Sequence, residues 1–351
     1  MLSENSFHAI KEFLPKVTYS EGKLLELFTF LQSQQVSYEI IDDKINHNIK
    51  ISHNLNLIFA SKEIKQKIYT LYTKRIIKFT TYNKNFEINI YYKDENIDYL
   101  VDIIQYYISF VAELAKSTVN KVIFTLYLLD IKKVYLGNHI LGINEVNSGE
   151  AYTDINNISH ISIWRKEELL KSIIHELIHS LHYDYRNDSH DIINYYRNKY
   201  NITSKKVNTY EAYTEAFTGL LHSYLLSKYK YPAGDMNQYE LFVSNVGIEK
   251  EYALQKASFV LSLNSKPVDM NKFSNVLAYY IIRAEIYNNM DTFLDYCQKN
   301  NNNYINIQNS NMFLDYLKKL SKIKQKKQKL KNYYLQNTMK MTCLELDLFR
   351  H

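Results

Sequence analysis

The chain has 351 residues and a hydrophobic content of 46%, so it can bury one large core or two smaller ones, which excludes a disordered or fibrous protein. The formal net charge is +6, but Lys318–Lys331 holds eight lysines and no acid, and the rest of the chain has a formal charge of −2. The basic character is therefore local, which argues against a protein that coats nucleic acid.

The scarcity of chain breakers favours helices, because only 7 glycines and 3 prolines accompany 33 tyrosines and 16 phenylalanines. The two cysteines, Cys297 and Cys343, have no second cysteine at metal-ligand spacing, which argues against a thiolate zinc site and against a disulfide framework. The N-terminal residues lack a signal-peptide pattern, and no apolar run approaches the ~20 residues that cross a bilayer. We therefore expect a soluble protein of a reducing compartment, with no membrane partner.

Residues 1–120 predict an α/β region that carries no catalytic motif. The apolar residues 54–60 predict a strand, and Ser61–Ile77 has the spacing of a helix. Phe86–Tyr92 alternates as a strand does, and Asp94–Lys116 predicts a long helix.

The pattern becomes mostly helical in the second half of the chain. Lys121–Tyr135 is rich in β-branched and aromatic residues and predicts a strand or a hairpin. Gly137–Gly149 contains three of the seven glycines and predicts an irregular loop, and Ile158–Trp164 predicts a short strand after it. Helical spacing follows, ending in a lysine-rich helix over Asn311–Leu335 within a C-terminal extension, residues 291–351. The expected class is α+β, rich in helices, with a small mixed sheet.

The most informative motif is HELIH at residues 175–179, the H-E-x-x-H pattern in which two histidines one helical turn apart bind zinc and the glutamate handles the water. Glu167–Tyr185 predicts the helix that carries it, with the two acids at its start in the first turn. Its aliphatic residues form one stripe, and His175, His179 and His182 lie on the opposite face. Glu176 is the predicted base. The alternative is a pair of solvated or core histidines on an amphipathic helix.

The motif needs a third protein ligand. Catalytic zinc keeps one position open for water, so His182 is predicted to lie beside the ligands and not to be one of them. The metzincin extension requires glycine at position 182 and histidine at position 185, where this chain has His182 and Tyr185, so that subclass is excluded. A carboxylate from a second helix is therefore expected.

Asn208–Lys228 predicts this second helix and carries Glu211 and Glu215 one turn apart on one face. One glutamate would complete a His₂Glu site, and the other would orient a ligand imidazole. An alternative for Glu211 is a capping box with Asn208, and an alternative for Glu215 is a surface acid. The residues alone leave the choice of ligand open.

Together the two motifs resemble gluzincin-type zinc metallopeptidases. HELIHSLH at residues 175–182 is similar to the zinc helix of clostridial neurotoxin light chains, and EAYTEAF at Glu211–Phe217 resembles the E-x-x-x-E-A-F segment of the anthrax lethal factor type, whose first glutamate is the ligand. This resemblance implies Glu211 as the third ligand and a zincin-like metallopeptidase domain over residues 121–290. It covers only two helices, so it implies neither secretion nor receptor binding.

The abundance of Asn, Lys, Ile and Tyr resembles that of proteins from AT-rich genomes such as large DNA viruses. This second resemblance concerns composition alone and touches no residue of the predicted site. It implies a viral protein that is cytoplasmic or associated with the virion.

The implied activity is hydrolysis of a protein or peptide by a zinc-dependent endopeptidase. Zinc would lower the pKa of water toward ~7 and polarise the scissile carbonyl, while Glu176 moves the proton. A further donor should stabilise the oxyanion, and packing is the alternative role for each tyrosine among the candidates. These candidates are Tyr279, Tyr280 and Arg283 in a predicted helix over Val276–Tyr287, or Tyr210 and Tyr213 near the third ligand.

Gly149–Thr153 lies just before the zinc helix and predicts the edge at which substrate binds. An edge strand can pair with an extended peptide by β-addition, and Gly149 and Ala151 would contribute the pairing backbone. The alternative is an ordinary loop.

Two rival functions belong to other classes. A zinc-binding structural or interaction protein of a larger assembly would keep the metal without hydrolysis, but it would not need Glu176. A nucleic-acid- or membrane-binding protein would use Lys318–Lys331, which lacks the interleaved aromatic residues of a single-strand binder and is better explained as a solvated helical face or a docking element. The sequence makes no prediction of the oligomeric state.

Overall fold

The computed structural model describes residues 2–17, 22–52, 55–81, 84–135, 137, 140–185, 187–229, 235–263, 267–324 and 332–349. The fold is α+β, as predicted, with 49% of residues in helices and 16% in strands. None of the helices in these ranges has the length and apolar character that a membrane crossing requires.

Contacts divide the chain into two compact units, each built from separate segments. The sheet unit comprises Gln34–Lys133, Asn147–Tyr183 and Leu348–His351. The helical unit comprises Met1–Ser33, Val134–Val146 and Asp184–Asp347. This grouping differs from a division at residues 120 and 290.

The sheet unit contains a six-stranded sheet in the order β1-β2-β3-β4-β6-β5, so β1 and β5 form its two edges. β1, β2 and β3 pair antiparallel, β3, β4 and β6 pair parallel, and β5 pairs antiparallel with β6. The strands are β1 (Glu39–Asn46), β2 (Thr73–Thr81), β3 (Lys84–Tyr92), β4 (Lys121–Tyr127), β5 (Gly149–Thr153) and β6 (Ile158–Ile163), and the helices of this unit are α3 (Lys62–Ile68), α4 (Asp98–Glu113) and α6 (Leu169–Ser180).

Most predicted elements of this unit are confirmed. The strands predicted at Phe86–Tyr92 and Ile158–Trp164 correspond to β3 and β6, and α4 lies within the predicted helix. Lys121–Tyr135 forms one strand, β4, and no hairpin. β3 and β4 form as predicted because their side chains alternate between the two faces of the sheet. Ile88 and Ile90 of β3 and Phe124 of β4 are fully buried.

Two predictions near residue 60 are wrong. The described part of the predicted strand, residues 55–60, is not a strand, and its Leu57 and Ala60 pack with Trp164 in a hydrophobic cluster. Asn54 lies outside the described residues. The helix predicted over Ser61–Ile77 ends at Ile68 as α3, and β2 begins at Thr73. A short apolar run has neither helical nor strand periodicity, so a buried loop of apolar residues can be mistaken for a strand.

The helical unit contains most of the helices and a two-stranded ribbon. Its elements are α1 (Glu4–Phe13), a 3₁₀ turn (Leu14–Lys16), α2 (Gly22–Gln32), α5 (Ile143–Val146), α7 (His190–Tyr200), α8 (Thr209–Ser227), α9 (Gln238–Ser262), a π-helix (Leu277–Ile282), α10 (Arg283–Asn288), α11 (Met290–Asn300), β7 (Asn301–Asn302), β8 (Asn306–Ile307), α12 (Ser310–Lys319) and α13 (Tyr333–Asn337). The helix predicted over Asn208–Lys228 is confirmed as α8.

The predicted lysine-rich helix over Asn311–Leu335 is wrong in its length. α12 ends at Lys319, residues 320–324 are not helical, and residues 325–331 lie outside the described residues. The proposed docking element Lys318–Lys331 is therefore described only as far as Lys324. There Lys318 forms an ion pair with Asp191 of α7, at the start of the run.

The last described part of the helical unit, residues 332–347, is here called the C-terminal segment. Apart from α13 and two bridge residues it has no regular secondary structure; it is mostly buried, and Met339 and Leu344 are fully enclosed. Single β-bridges join it to Leu2 and to Val134. The segment is thus part of the core of this unit and not an appended tail.

Candidate metal centre

α6 carries the H-E-x-x-H motif, and both of its ends differ from the prediction of Glu167–Tyr185. Its N-cap, Glu168, has a left-handed backbone (φ 59°), and its carboxylate accepts a hydrogen bond from Lys133 Nζ at 2.7 Å. Glu167 Oε2 accepts from the backbone N–H of Lys133 at 2.6 Å. The two acids therefore lie before the helix and not in its first turn, and they bond to Lys133, a buried lysine six residues after the end of β4.

His182 lies beyond the other end of this helix. α6 ends at Ser180, Leu181 caps it, and His182 has a left-handed backbone with φ 58°. The helical spacing that placed His182 on the face of the other two histidines does not extend this far. His182 is exposed and does not belong to the group described below.

His175 and His179 lie one turn apart on α6 and are both buried. Their Nε2 atoms are 3.1 Å apart, and the two rings meet edge to face with centroids separated by 4.7 Å. Two nitrogens at ~2.05 Å from a tetrahedral zinc ion are about 3.3 Å apart. The observed separation therefore fits two imidazoles that share one metal ion.

The start of α8 explains the position of the candidate third ligand. Asp188 caps this helix, because its carboxylate accepts from the backbone N–H of Asn208 at 2.5 Å and from the Oγ1 of Thr209 at 2.6 Å. Asn208 has a left-handed backbone (φ 57°), and its side chain makes no capping bond. The capping-box alternative for Glu211 is therefore wrong. Instead, Glu211 Oε1 accepts a hydrogen bond from Asn275 Nδ2 at 2.9 Å.

His175, His179 and Glu211 form a buried group that can hold a metal ion. Each residue offers one ligand atom, and these atoms all lie within 4.8 Å of one another. Two imidazoles and one carboxylate are the donors of many catalytic zinc sites, and burial keeps competing water away from them. The donor set and its spacing therefore fit the metal that the motif predicts.

Glu215 and Arg283 belong to a different cluster in the helical unit. Glu215 is 1% exposed, so the surface-acid alternative is wrong. Its carboxylate lies 3.6 Å from Arg283, which lies 3.6 Å from Glu249 as well and donates to the backbone carbonyl of Met341. Burial raises the pKa of Glu249, although Arg283 and two backbone N–H groups act in the opposite direction.

Tyr279 lies on the π-helix, which replaces the first half of the regular helix predicted over Val276–Tyr287, while α10 confirms the second half from Arg283 onward. Its phenol oxygen accepts from Asn275 Nδ2 at 3.4 Å, so one amide group contacts both Tyr279 and Glu211. Tyr279 is half-buried. Insertion of π-helical turns is common at functional sites because it shifts side chains relative to a regular helix.

The other three tyrosine candidates differ in burial. Tyr280 is buried, and its hydroxyl donates to the backbone carbonyl of Met339 at 2.6 Å. The hydroxyl of Tyr213 donates to the backbone carbonyl of Ile305, and the whole side chain is buried among aromatic rings. Tyr210 is half-buried and meets Tyr185 edge to face. Tyr213 thus has the packing role that was its alternative.

Gly149 and Ala151 lie in β5, at the edge of the sheet. The predicted loop Gly137–Gly149 is therefore wrong at its end, and it also contains the short helix α5; Asn138 and His139 lie outside the described residues. A Cβ atom built on Gly149 would lie 3.1 Å from Glu176 Oε1 and 2.9 Å from the carbonyl oxygen of Ser162. The edge strand thus passes directly beside the predicted base.

A scan of protein-family models, a search of curated proteins and a search of solved structures find no match to this chain. The site geometry is therefore the basis for a functional interpretation. Two residues of the site, Asn275 and Asp188, carry no motif and were not predicted from the sequence.

Proposed function

We propose that the protein is a zinc-dependent metalloendopeptidase that hydrolyses proteins or peptides. The observation that carries this proposal is the buried group His175, His179 and Glu211, with Glu176 in the same helical turn as both histidines. The resemblance of these two helices to gluzincin metallopeptidases agrees with the same ligand set. Zinc suits it best, because two imidazoles and a carboxylate are typical of His₂Glu zinc sites.

The bound metal would supply Lewis-acid chemistry, making water more acidic and polarising the scissile carbonyl. Glu176 would accept the proton of the attacking water on a carboxylate oxygen and deliver it to the leaving amine. Tyr279 would donate its hydroxyl to the developing oxyanion, because it is half-buried and shares its amide partner with Glu211. Arg283 would act indirectly by holding Glu215, one turn from Glu211 on α8.

β5 would bind the substrate as an added antiparallel or parallel strand. β5 is an edge strand of the sheet, so its outer side has no neighbouring strand within the sheet. Glycine at position 149 lets the backbone of β5 lie close to Glu176, because a side chain there would occupy the space beside the carboxylate. An extended peptide paired with this edge would therefore present a backbone carbonyl near the base. Ala151, with a small side chain two residues further on, would pair with the same peptide.

A zinc-binding structural protein is a second candidate, and one observation favours it. All three residues of the metal-ligand group are buried, as they are in closed structural sites. A closed site needs no base, whereas Glu176 lies between the two histidines. Hydrolysis that depends on Glu176 would decide between the two functions.

Metal content is the first test of the proposal. Purified wild-type protein is expected to hold close to one zinc per chain by mass spectrometry, and His175→Ala and Glu211→Ala are each expected to lose most of it, because removal of one of three ligands weakens binding severely. His160→Ala is a matched control, since His160 is a half-buried histidine of β6 that bonds to Asp154. Zinc retained in Glu211→Ala but lost in His175→Ala would exclude Glu211 as a ligand. A wild type that binds no zinc after reconstitution would contradict the proposal.

Backbone methylation of a substrate tests the role of β5. In a paired strand only alternate N–H groups bond to the neighbouring strand. A peptide N-methylated at two alternate residues that pair with β5 should be cleaved about 10- to 100-fold more slowly, because each lost hydrogen bond is worth about 1 kcal/mol. The same peptide methylated at the two intervening residues is the matched control and should keep its rate. Equal rates for the two peptides would contradict binding at this edge.

A further inference from the structure

We propose that Asn275 is a positioning residue for the metal ligand Glu211, an inference that rests on the proposed zinc site. Asn275 Nδ2 donates to Glu211 Oε1 at 2.9 Å, although the two residues are 64 positions apart in the chain. Hydrogen bonds to a ligating carboxylate fix its orientation before the metal arrives.

Hydrogen-bonding rules fix the direction of this contact. An ionised carboxylate can only accept, so Asn275 must turn its NH₂ group toward Glu211. Its carbonyl oxygen then faces Asn208, whose Nδ2 donates to it at 2.5 Å. The three side chains form a ladder in which Asn208 determines which way Asn275 points, and Asn275 determines how Glu211 is held.

The two asparagines of the ladder are each held in place by further contacts near the start of α8, the helix that carries Glu211. Asn208 precedes the first residue of α8, and Asp188 binds its backbone N–H. The segment that carries Asn275 is fixed by Asn271, whose Nδ2 donates to the carbonyls of Lys206 and Val207 and whose Oδ1 accepts from the first residue of the π-helix. The donor is therefore rigid with respect to the carboxylate, which is what positioning a ligand requires.

The side-chain amide of Asn275 also contacts Tyr279, the candidate donor to the oxyanion. Asn275 Nδ2 also approaches the phenol oxygen of Tyr279 at 3.4 Å, and the backbone carbonyl of Asn275 accepts from the N–H of Tyr279 at 2.9 Å. Because its phenol oxygen accepts from Asn275, the hydroxyl hydrogen of Tyr279 points away from that amide. Asn275 would thus set the direction in which Tyr279 donates, as well as the orientation of Glu211.

The test is the affinity for zinc alone, measured by competition with a chromophoric chelator in the full chain. Asn275→Ala is expected to raise the zinc Kd about 10- to 100-fold, the usual effect of removing a partner of a metal ligand. Asn208→Ala keeps Asn275 but frees its amide to rotate, so we expect a smaller rise of about 2- to 10-fold. Asn245→Ala is the control, because Asn245 also donates its side-chain amide to α8, at the Ser223 carbonyl twelve residues beyond Glu211. Asn245 is fully buried and Asn275 is half-buried.

Thermal unfolding of the metal-free proteins separates positioning from folding. Asn275→Ala should melt no lower than Asn245→Ala does, while only Asn275→Ala loses zinc affinity. A wild type that binds zinc tightly beside an Asn275→Ala variant with a Kd within about twofold of it would overturn this inference and leave the proposed function intact. A wild type without zinc affinity would instead overturn the proposed function. If Asn275→Ala fails to fold, an unchanged Kd in Asn208→Ala overturns the inference.

Discussion

A Glu176→Gln variant is expected to lose at least about a thousandfold in kcat on a peptide substrate while it keeps its zinc, because general acid–base catalysis contributes roughly this factor. Glutamine has the shape of glutamate but cannot accept a proton at neutral pH. Glu176 is not in the metal-ligand group, so the metal should remain. The substrate would first be identified by digestion of a peptide library with the wild type, and kcat would then be measured for both proteins together with their zinc content.

Glu87→Gln is the matched control for this experiment. Glu87 is a half-buried glutamate on β3, and β4 and β6 lie between this strand and β5 in the sheet. Its Oε1 accepts from Asn89 Nδ2 at 3.0 Å, a contact within β3. We expect Glu87→Gln to keep kcat within about tenfold of the wild type. Hydrolysis that survives in Glu176→Gln would show that another group is the base, and loss of zinc in that variant would show that the carboxylate has a structural role.

Local periodicity was sufficient to predict the core of α6 but not its ends. The spacing of apolar residues identified the turn that holds His175 and His179, and all residues of α6 are buried. The helix ends where His182 adopts a left-handed backbone. Glycine or asparagine usually occupies such a position, so a histidine gives no sequence signal for the end of the helix. At the other end, Glu168 pairs with Lys133, 35 positions away. A local pattern contains no information about such a partner.

The choice between Glu211 and Glu215 also depended on distant residues. Both lie on the same face of α8, and the sequence could not distinguish a ligand from a buried ion-pair partner. The structure separates them through their neighbours, because Glu211 accepts from Asn275 and Glu215 lies beside Arg283. The capping of α8 also depends on a distant residue: Asp188, 20 positions before Asn208, accepts the backbone N–H of Asn208 that a capping box would have assigned to Glu211. The resemblance to lethal-factor-type peptidases had pointed to Glu211 without these contacts.

The sequence did not predict the buried C-terminal segment of the helical unit. It has little regular structure, so neither helical nor strand periodicity marks it. Its backbone is instead bonded by side chains: Lys256 Nζ donates to the carbonyls of Leu335 and Gln336 at 2.7 and 3.1 Å, and the hydroxyls of Tyr252 and Tyr280 donate to those of Lys340 and Met339. These donors come from two other stretches of the chain. Only the folded structure brings them to one segment.

Deletion of residues 332–351 is expected to abolish cooperative folding of the protein. The deletion would expose the apolar surface that Met339 and Leu344 cover, and it would leave the buried ammonium of Lys256 without its backbone acceptors. It would also remove the backbone N–H groups of Cys343 and Leu344, which donate to Glu249 Oε1 at 2.9 and 3.0 Å. A buried charge without partners costs several kcal/mol, and each large buried apolar side chain adds about 2–5 kcal/mol. Together these losses are comparable to a typical stability of about 5–15 kcal/mol.

Point variants make this expectation quantitative. Leu344→Ala should lower the free energy of unfolding by about 2–5 kcal/mol in urea denaturation followed by circular dichroism, because Leu344 is 0% exposed. Leu25→Ala is the control: Leu25 lies on α2 with 46% of its surface exposed, and its change should stay within about 0.5 kcal/mol. A deletion variant that still unfolds cooperatively near the wild-type midpoint would contradict the assignment of this segment to the core. Because Arg283 joins Met341 to Glu215 on the helix of the metal ligand, a deletion variant that remains soluble is also expected to bind zinc more weakly than Leu344→Ala.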